Sequence, residues 1–269
     1  MTKCNMNVLR FENLTANQID ALCKDNRVIL LSFGSIEQHS AHLPVGTDCL
    51  CMIKRVEEIA RHTNSIVFSP LQLGYSFNHA GMPGTISLSA EIFIDIVANI
   101  LRQLFQQGWK RAVIFSGHNG NWPALRVAVQ IAREAYIDAQ VVLADGYPRM
   151  SDEHRKNRFV RNFDYHAGLT ETALVSYFAK DLLDTESIPP ANQDMPDAIK
   201  KLMNKKDLDE IDTVLMNAIT PQHTQALSTN GIWGANDPSL FEQIPVRSAM
   251  ESYVDFYVQL IKRWDALEL

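Results

Sequence analysis

The alternation of short apolar runs with longer amphipathic segments constrains this chain more than any other feature. Four almost continuously apolar runs have the length of strands: 28–33, 65–69, 111–116 and 140–145. Three segments between or after them repeat their apolar residues with the 3.6-residue period of a helix: 49–63, 90–107 and 121–136. This order is typical of an α/β protein with a mainly parallel sheet that helices cover on both faces.

The second half of the chain adds two helices and a polar stretch. Periodicity predicts helices at 170–183, where Thr170 is placed to cap the first turn, and at 246–266. Between them, 184–225 is polar and contains four prolines, which predicts a surface excursion with one or two short helices, "DAIKKLMN" among them. The sequence shows no internal repeat, so we expect one domain over residues 1–269.

Composition narrows the classes of partner. The chain has 269 residues, of which 46% are hydrophobic and 21% charged, and its formal net charge is -6. A mild negative charge without basic clusters argues against nucleic acid or an anionic membrane as the partner. The sequence also shows neither a signal-peptide pattern nor the roughly 18 consecutive apolar residues of a membrane span. We expect a cytoplasmic protein that acts on a small molecule.

Ligands of open parallel sheets bind at the carboxyl ends of the strands, so residues that follow the apolar runs are the functional candidates. The stretch "GSIEQHSAHLPVGTD" follows the first run and holds Glu37, His39 and, eleven residues after the glutamate, Asp48. In extended chain, residues two apart point to the same side. Carboxylates and imidazoles are ligands that zinc, manganese and iron accept. The alternative is that Asp48 caps the following helix and Glu37 is solvated.

Two other stretches carry similar residues. "RAVIFS" is followed by "GHNGNWPAL", in which His118 lies between glycines at a strand-to-helix turn. Such a turn also suits a phosphate, but the P-loop lysine is missing, which favours a metal ligand. "YHAGLTET" brings His166 and Glu171 to the start of a predicted helix. Glu171 is either a metal ligand or a first-turn carboxylate that the helix dipole stabilises, and His166 is a candidate for proton transfer.

These stretches together provide five candidate ligands: Glu37, His39, Asp48, His118 and Glu171. Five exceed what one catalytic zinc with an open position needs, but they suit two metals that share a carboxylate. A binuclear centre is therefore the economical hypothesis. The glycine-rich loop "NHAGMPGT" adds His79 and Asn78, which either line the substrate pocket or have a supporting role beside the ligands.

At this point several motifs resemble those of the creatininase (creatinine amidohydrolase) family in order and spacing. They are "GSIEQHSAHLPVGTD", "GYSFNHAGMPGTISL", "SGHNGN", "HAGLTET" and "GIWGANDP", and they extend over about residues 28–238. The resemblance implies a three-layer α/β/α fold, a homo-oligomer that is commonly a hexamer, and two divalent ions per subunit, zinc first, with manganese or iron as alternatives. It implies that Glu37 and His118 bind one metal, that His39 binds the other, and that Asp48 bridges them.

The chain departs from creatininases proper at positions that bear on the substrate. Gly120 stands where those enzymes have a glutamate ligand, and the resemblance to other family members suggests Glu171 as the substitute. Asn119 and Asn162 stand where a tyrosine and a tryptophan would be expected for creatinine binding. The sequence therefore predicts a substrate other than creatinine.

The hypothesis for function is metal-dependent hydrolysis of a C–N amide bond in a cyclic amide, a formamide or a small peptide-like amide. Two metals would hold a bridging water at lowered pKa as the nucleophile. His166 would protonate the leaving nitrogen, with Glu171 also assigned to the catalytic set. His79, Asn119 and Asn78 are the predicted substrate-binding residues. The alternative is a metal-dependent lyase, isomerase or ring-opening hydrolase of a small cyclic keto compound.

Overall fold

The computed structural model describes residues 7–144, 164–190, 196–203, 209–234 and 237–267. Its central sheet is parallel and has the strand order β1-β3-β2-β4-β5. The five strands are β1 (Leu9–Arg10), β2 (Val28–Phe33), β3 (Ile66–Val67), β4 (Arg111–Ser116) and β5 (Gln140–Leu143). The predicted α/β fold with a mainly parallel sheet is confirmed.

Helices flank this sheet and fill the second half of the chain. They are α1 (Ala16–Lys24), α2 (Thr47–Thr63), α3 (Ala90–Gln106), α4 (Trp122–Ala135), α5 (Leu169–Phe178), α6 (Asp197–Met203), α7 (Glu210–Ile219) and α8 (Val246–Asp265). The connection through α2 runs towards one edge of the sheet, whereas those through α3 and α4 run towards the other edge. Right-handed crossovers therefore put α2 on one face and α3 with α4 on the opposite face. Consistent with this, α3 packs on α4, and α2 packs on α8.

The two central strands explain why the apolar runs are continuous rather than alternating. All six residues of β2 are buried, as are five of the six residues of β4. The helices cover both faces, so side chains that point either way enter the core. The carboxyl ends of these two strands are adjacent, which brings the loops after Phe33 and Ser116 together.

A two-stranded antiparallel sheet lies apart from the central one and was not predicted. It consists of β6 (Asp164–His166) and β7 (Trp233–Gly234), so it joins the "YHAG" stretch to the "GIWG" stretch. Strands of two or three residues are too short to show a hydrophobic period, which is why the sequence does not reveal them.

Several boundaries and caps differ from the predictions. The helix predicted at 170–183 ends at Phe178, and its predicted cap is wrong: Gly168 occupies the N-cap position, and Thr170 lies inside the first turn. The carboxylate of Asp164 instead accepts the Thr170 N–H at 2.7 Å. Asp48 is not a cap either, because Gly46 precedes α2 and Asp48 stands in its first turn.

The polar stretch at 184–225 contains α6, which is the "DAIKKLMN" helix, and α7. Asn162 lies outside the described residues. Among the helices of the described ranges, none combines the length and apolarity that crossing a lipid bilayer requires. α1 was missed by the sequence pattern, and a complete capping box formed by Thr15 and Gln18 is the signal that marks its start.

Candidate metal centre

The five predicted ligands come from four parts of the fold and meet at the carboxyl ends of β2 and β4. The loop after β2 supplies Glu37 and His39, and hydrogen bonds from Glu37 N to Val45 O and from Ile86 N to Ile36 O hold it in place. The first turn of α2 supplies Asp48. The turn after β4 and the start of α5 supply the other two ligands, His118 and Glu171.

The first cluster consists of Glu37, Asp48 and His118. The Nδ1 atom of His118 lies 3.0 Å from Glu37 Oε2 and 3.5 Å from Asp48 Oδ2. On its other side, His118 Nε2 donates to the Tyr75 carbonyl oxygen at 3.1 Å, which leaves Nδ1 facing the carboxylates. The hydroxyl of Ser76 donates to Glu37 Oε2 and orients that carboxylate from outside the cluster.

The second cluster consists of His39, Asp48 and Glu171. The Nε2 atom of His39 lies 3.6 Å from Asp48 Oδ1 and 3.6 Å from Glu171 Oε2. His39 Nδ1 donates to the Glu37 carbonyl oxygen at 3.0 Å, so Nε2 faces the two carboxylates. The Ala167 N–H donates to Glu171 Oε2 at 2.6 Å and holds that side chain over the cluster.

Two hydrogen bonds outside the second cluster join the loop after β2 to the start of α5. His42 Nε2 donates to the Thr172 hydroxyl at 2.8 Å, and that hydroxyl donates to the Gly168 carbonyl oxygen at 2.7 Å. His42 follows His39 in the same loop, and Thr172 follows Glu171 in α5. These two hydrogen bonds therefore hold the histidine and the glutamate of the second cluster in one relative position.

Two polar atoms of this centre suit metal ligands because they are buried without a hydrogen-bond partner among the described residues. His39 Nε2 and Asp48 Oδ2 are buried and have no hydrogen-bond partner within the described part of the chain. Buried polar atoms are rarely left unpaired in proteins, and a bound ion is one reason for an exception. In each cluster the three donor atoms lie within 4.8 Å of one another, and Asp48 belongs to both. The clusters are thus consistent with a binuclear metal site.

The charges of the two clusters depend strongly on one another. Burial disfavours a charged Glu37, but the imidazolium of His118 outweighs it and lowers the Glu37 pKa to about 2. Burial also disfavours a charged His39, but the carboxylates of Asp48 and Glu171 raise its pKa to about 10. Glu171 differs, because burial raises its pKa to about 7. An imidazole must be neutral to bind a metal, so metal uptake at these clusters would release protons.

His166 and His79 lie beside the first cluster and face the same carboxylate oxygen. His166 Nδ1 is 3.5 Å and His79 Nε2 is 3.6 Å from Glu37 Oε1, and the two ring centroids are 4.1 Å apart. Burial lowers the pKa of both, that of His79 to about 4. His166 also forms a third group of close donor atoms with Glu37 and His39, so its position suits either a proton carrier or a ligand.

The two asparagines predicted to bind substrate stand farther out. Asn119 is exposed in the turn after β4, and Asn78 is half-buried in the short helical turn 77–79. Their contact with a substrate stays a prediction. Gly120 lies directly behind the His118 ring, where an added Cβ would overlap Nε2, so a side chain at this position requires His118 to move.

Two buried residues beside His79 and His166 were missed by the sequence analysis. Gln38 stands between two candidate ligands and is buried against His79 and His166. Thr224, from the last part of the polar stretch, is fully buried and its hydroxyl lies 3.0 Å from His79 Nδ1. In an extended chain, the side chain of Gln38 is expected on the side opposite to those of Glu37 and His39, away from the ligands. No sequence pattern marks Thr224. The stretch at 184–225 therefore ends in the site.

These features define an α/β protein that carries, at the ends of its central strands, two buried histidine–carboxylate clusters joined by one aspartate. The family model described as "Creatininase: Creatinine amidohydrolase" matches residues 12–261. The chain belongs to the creatininase family.

Known relatives differ in what their names say they act on. The chain is 25% identical over 146 residues to the 3-dehydro-scyllo-inosose hydrolase of Thermotoga maritima, a match that covers 54% of this chain and 47% of that protein. It is 28% identical over 184 residues to the creatinine amidohydrolase of Pseudomonas putida, covering 61% and 70%. It is 26% identical over 246 residues to the mycofactocin precursor peptide peptidase of Mycobacterium ulcerans, covering 88% and 85%. The chain thus spans about half the length of the inosose hydrolase.

Solved structures share the fold over almost the whole chain. A crystal structure of creatinine amidohydrolase (creatininase) superimposes with a TM-score of 0.78 at 20% identity and covers 96% of this chain and 98% of that one. A structure described as manganese creatininase gives a TM-score of 0.73 at 22% identity with the same coverage. At these identities the likeness establishes the three-layer architecture.

Proposed function

We propose that this protein hydrolyses a C–N amide bond in a small molecule, a cyclic amide, a formamide or a small peptide-like amide, with two divalent metal ions per subunit. The observation that carries the proposal is that Asp48 presents one carboxylate oxygen to each cluster, and each cluster has its own histidine and its own second carboxylate. Such a donor set suits zinc first, with manganese or iron as alternatives. Creatinine amidohydrolase and the peptidase relatives are named for cleavage of bonds of this kind.

In this proposal Glu37, Asp48 and His118 hold one ion, and His39, Asp48 and Glu171 hold the other. When bound, the two ions would supply Lewis acidity and lower the pKa of water towards neutrality. The chain's own contribution is to orient the donors. Backbone carbonyls take one ring hydrogen from each histidine ligand, and Ser76 and the Ala167 N–H orient the carboxylates.

His166 is the proposed proton carrier of the reaction. Its Nδ1 faces Glu37 Oε1, close enough to the first cluster to receive a proton from an attacking water and pass it to a leaving nitrogen. Its position on β6, directly before the left-handed Ala167 and the start of α5, is rigid because Nε2 is hydrogen-bonded to the Gln38 carbonyl oxygen at 2.6 Å. Proton transfer through a positioned imidazole typically contributes about 10²–10⁴-fold.

The test of the function is a screen of small amides with detection of released amine and carboxylate. The protein is purified without chelator and assayed with added zinc or manganese. A substrate whose turnover is abolished by chelator and restored by metal supports the proposal. Turnover of cyclic ketones without release of any amine would contradict it.

A second candidate is ring opening, lyase or isomerase chemistry on a small cyclic keto compound. The similarity to the 3-dehydro-scyllo-inosose hydrolase favours it, since that relative is named for hydrolysis of an inosose. The same centre would then stabilise an enolate oxygen rather than an amide-derived oxyanion. Cyclic ketones in the same screen, followed by mass spectrometry, distinguish ring opening from amide cleavage.

Glu171→Gln tests whether Glu171 is a metal ligand of the second cluster. In this proposal it substitutes for the glutamate ligand that creatininases proper have at the position of Gly120. We expect metal content to fall from about two ions per chain to about one, because a neutral amide is a poor ligand for a divalent ion. The measurement is elemental analysis of metal per chain. Glu91→Gln is the matched control, because Glu91 is an exposed first-turn carboxylate of α3 and shares only the helix-dipole role. Unchanged metal content in Glu171→Gln would show that Glu171 is not a ligand and is only a first-turn carboxylate that interacts with the helix dipole.

His166→Ala separates the two roles that its position suits. We expect turnover of any substrate found in the screen to fall by about 10²–10⁴-fold while both metals are retained. The check combines steady-state kinetics with elemental analysis of the same samples. Loss of metal in the variant would instead assign His166 to the third donor group as a ligand.

We also propose that the chain forms a homo-oligomer, with a hexamer as the form that the family resemblance suggests. Light scattering coupled to size-exclusion chromatography measures the mass directly. A monomer at micromolar concentration would overturn this part of the proposal.

A further inference from the structure

We propose that Gln38 is a positioning residue that fixes the same tautomer, with the hydrogen on Nε2, in two neighbouring histidines whose rings face the metal centre through different nitrogens. His79 therefore presents an N–H to the centre, and His166 presents a lone pair. The tautomers follow from hydrogen bonds within the chain alone. The catalytic roles drawn from them rest on the proposed hydrolase function.

The first step is the orientation of the Gln38 amide, which two backbone groups determine. Its Oε1 accepts the Ser40 N–H at 2.9 Å, and its Nε2 donates to the Gly231 carbonyl oxygen at 3.1 Å. A flipped amide would set donor against donor and acceptor against acceptor at both contacts. Gly231 has a φ of 81°, and a Cβ there would overlap Oε1, so this close approach requires glycine.

The second step concerns His79. The remaining hydrogen of Gln38 Nε2 points to His79 Nδ1 at 3.0 Å, and the Thr224 hydroxyl lies at 3.0 Å from the same nitrogen. An amide nitrogen only donates, so Nδ1 has to accept and carries no hydrogen. The hydrogen of the ring is therefore on Nε2, the atom that faces Glu37 Oε1 at 3.6 Å.

The third step concerns His166. Its Nε2 lies 2.6 Å from the Gln38 carbonyl oxygen, a distance that requires a hydrogen on the nitrogen because two acceptors would repel. The 2.9 Å approach of Gln38 Nε2 to the same atom is then a contact rather than a hydrogen bond, and the amide hydrogen is left for His79. Within the described ranges no backbone N–H donates to His166 Nδ1, which faces Glu37 Oε1 at 3.5 Å with its lone pair.

Gln38 therefore gives two neighbouring histidines complementary properties at one carboxylate oxygen, through its side-chain amide for His79 and its main-chain carbonyl for His166. His79 offers a donor to an oxygen or nitrogen that gains negative charge, and His166 offers an acceptor for the proton that the nucleophile loses. An apolar side chain at position 38 would remove the amide donor and leave the His79 tautomer free to exchange, whereas the main-chain carbonyl would still hold the hydrogen on His166 Nε2. This explains why a polar, uncharged side chain is buried between two candidate ligands.

The test is magic-angle-spinning NMR of the full chain with ¹⁵N-labelled histidine, loaded with zinc because that ion is diamagnetic. Spectra of His79→Gln and His166→Gln assign the two rings, since each variant removes one pair of nitrogen signals. We expect a bare Nδ1 with a protonated Nε2 in both rings. A protonated Nδ1 in His79, or a bare Nε2 in His166, overturns the proposal from the wild-type spectrum alone. A zinc-shifted Nδ1 in His166 would overturn its acceptor role and make it a ligand.

Two variants test whether Gln38 is the cause. Gln38→Glu replaces the donor by an acceptor of equal size, and we expect the hydrogen of His79 to move to Nδ1. Thr224→Val is the matched control, because it removes the other donor to Nδ1 but leaves the Gln38 amide, and the His79 pattern should persist. A change in Thr224→Val with none in Gln38→Glu would transfer the role to Thr224. Because the readout is a spectrum and not turnover, an inactive protein with these tautomers would refute the proposed function while leaving this inference intact.

Discussion

Asp48→Ala should remove both metal ions at once, whereas no other single ligand should do so. Asp48 presents Oδ2 to His118 and Oδ1 to His39, at 3.5 Å and 3.6 Å, so its loss takes a donor from each cluster. Each cluster would retain one histidine and one other carboxylate, which is too few donors for a stable site of this kind. We expect metal content to fall from about two ions per chain to nearly none.

Elemental analysis of wild type, Asp48→Ala and Glu171→Gln under one protocol makes the prediction quantitative. The expected order is about two, none and one ions per chain. Asp95→Ala on α3 is the control, because Asp95 is exposed and belongs to none of the groups of candidate metal donors. One ion retained in Asp48→Ala would show that the clusters bind independently and that Asp48 does not bridge them.

Gly117→Ala should destabilise the protein even when no metal is present. Gly117 donates its N–H to the Phe33 carbonyl oxygen at 2.9 Å, which joins the ends of β2 and β4. A Cβ built on Gly117 would overlap the carbonyl group of Asp48 in the first turn of α2. The overlap is with backbone, so no side-chain rotation relieves it, and α2 has to move away from the sheet. We expect the free energy of unfolding to fall by about 3 kcal/mol, which corresponds to a decrease in Tm of roughly 6–12 °C.

Thermal unfolding in excess chelator measures this effect without a contribution from metal binding. The matched control is Gly46→Ala at the N-cap of α2, where the nearest atom to an added Cβ is Ile36 Cδ1 at 3.8 Å. Its cost should be limited to about 1 kcal/mol, the preference for glycine over alanine at an N-cap. Equal Tm values for the two variants would show that the approach of Asp48 to Gly117 is not tight. Gly117→Ala should also bind less metal, since the displaced α2 carries Asp48.

The sequence was sufficient for four of the five strands of the central sheet, all but the two-residue edge strand β1, and for the part of the sheet where the candidate ligands meet. β2 and β4 begin and end where the apolar runs do, because burial on both faces requires apolar residues at every position. Strand ends in a parallel sheet share one edge, so the residues after these runs had to be neighbours. All five predicted ligands converge there, although their coordination of metal stays a prediction.

Short-range details were predicted less well. Thr170 was expected to cap α5, but the carboxylate of Asp164 takes the Thr170 N–H and the helix starts after Gly168. The donor comes from the short strand β6, whose place depends on pairing with β7 more than sixty residues later. A cap supplied by another element has no local signature.

Only the tertiary structure decided which groups surround the ligands. The carbonyl oxygen of Gln38 accepts from His166 across 128 positions, its amide donates to Gly231 across 193, and the Thr224 hydroxyl contacts His79 across 145. Residue types and spacing identify atoms that bind metal, because that chemistry is intrinsic to the side chain. The tautomer and orientation of each histidine ring, and the position of the Asp48 carboxylate between the two clusters, depend on contacts between distant segments. Only the packing of the whole chain brings those segments together.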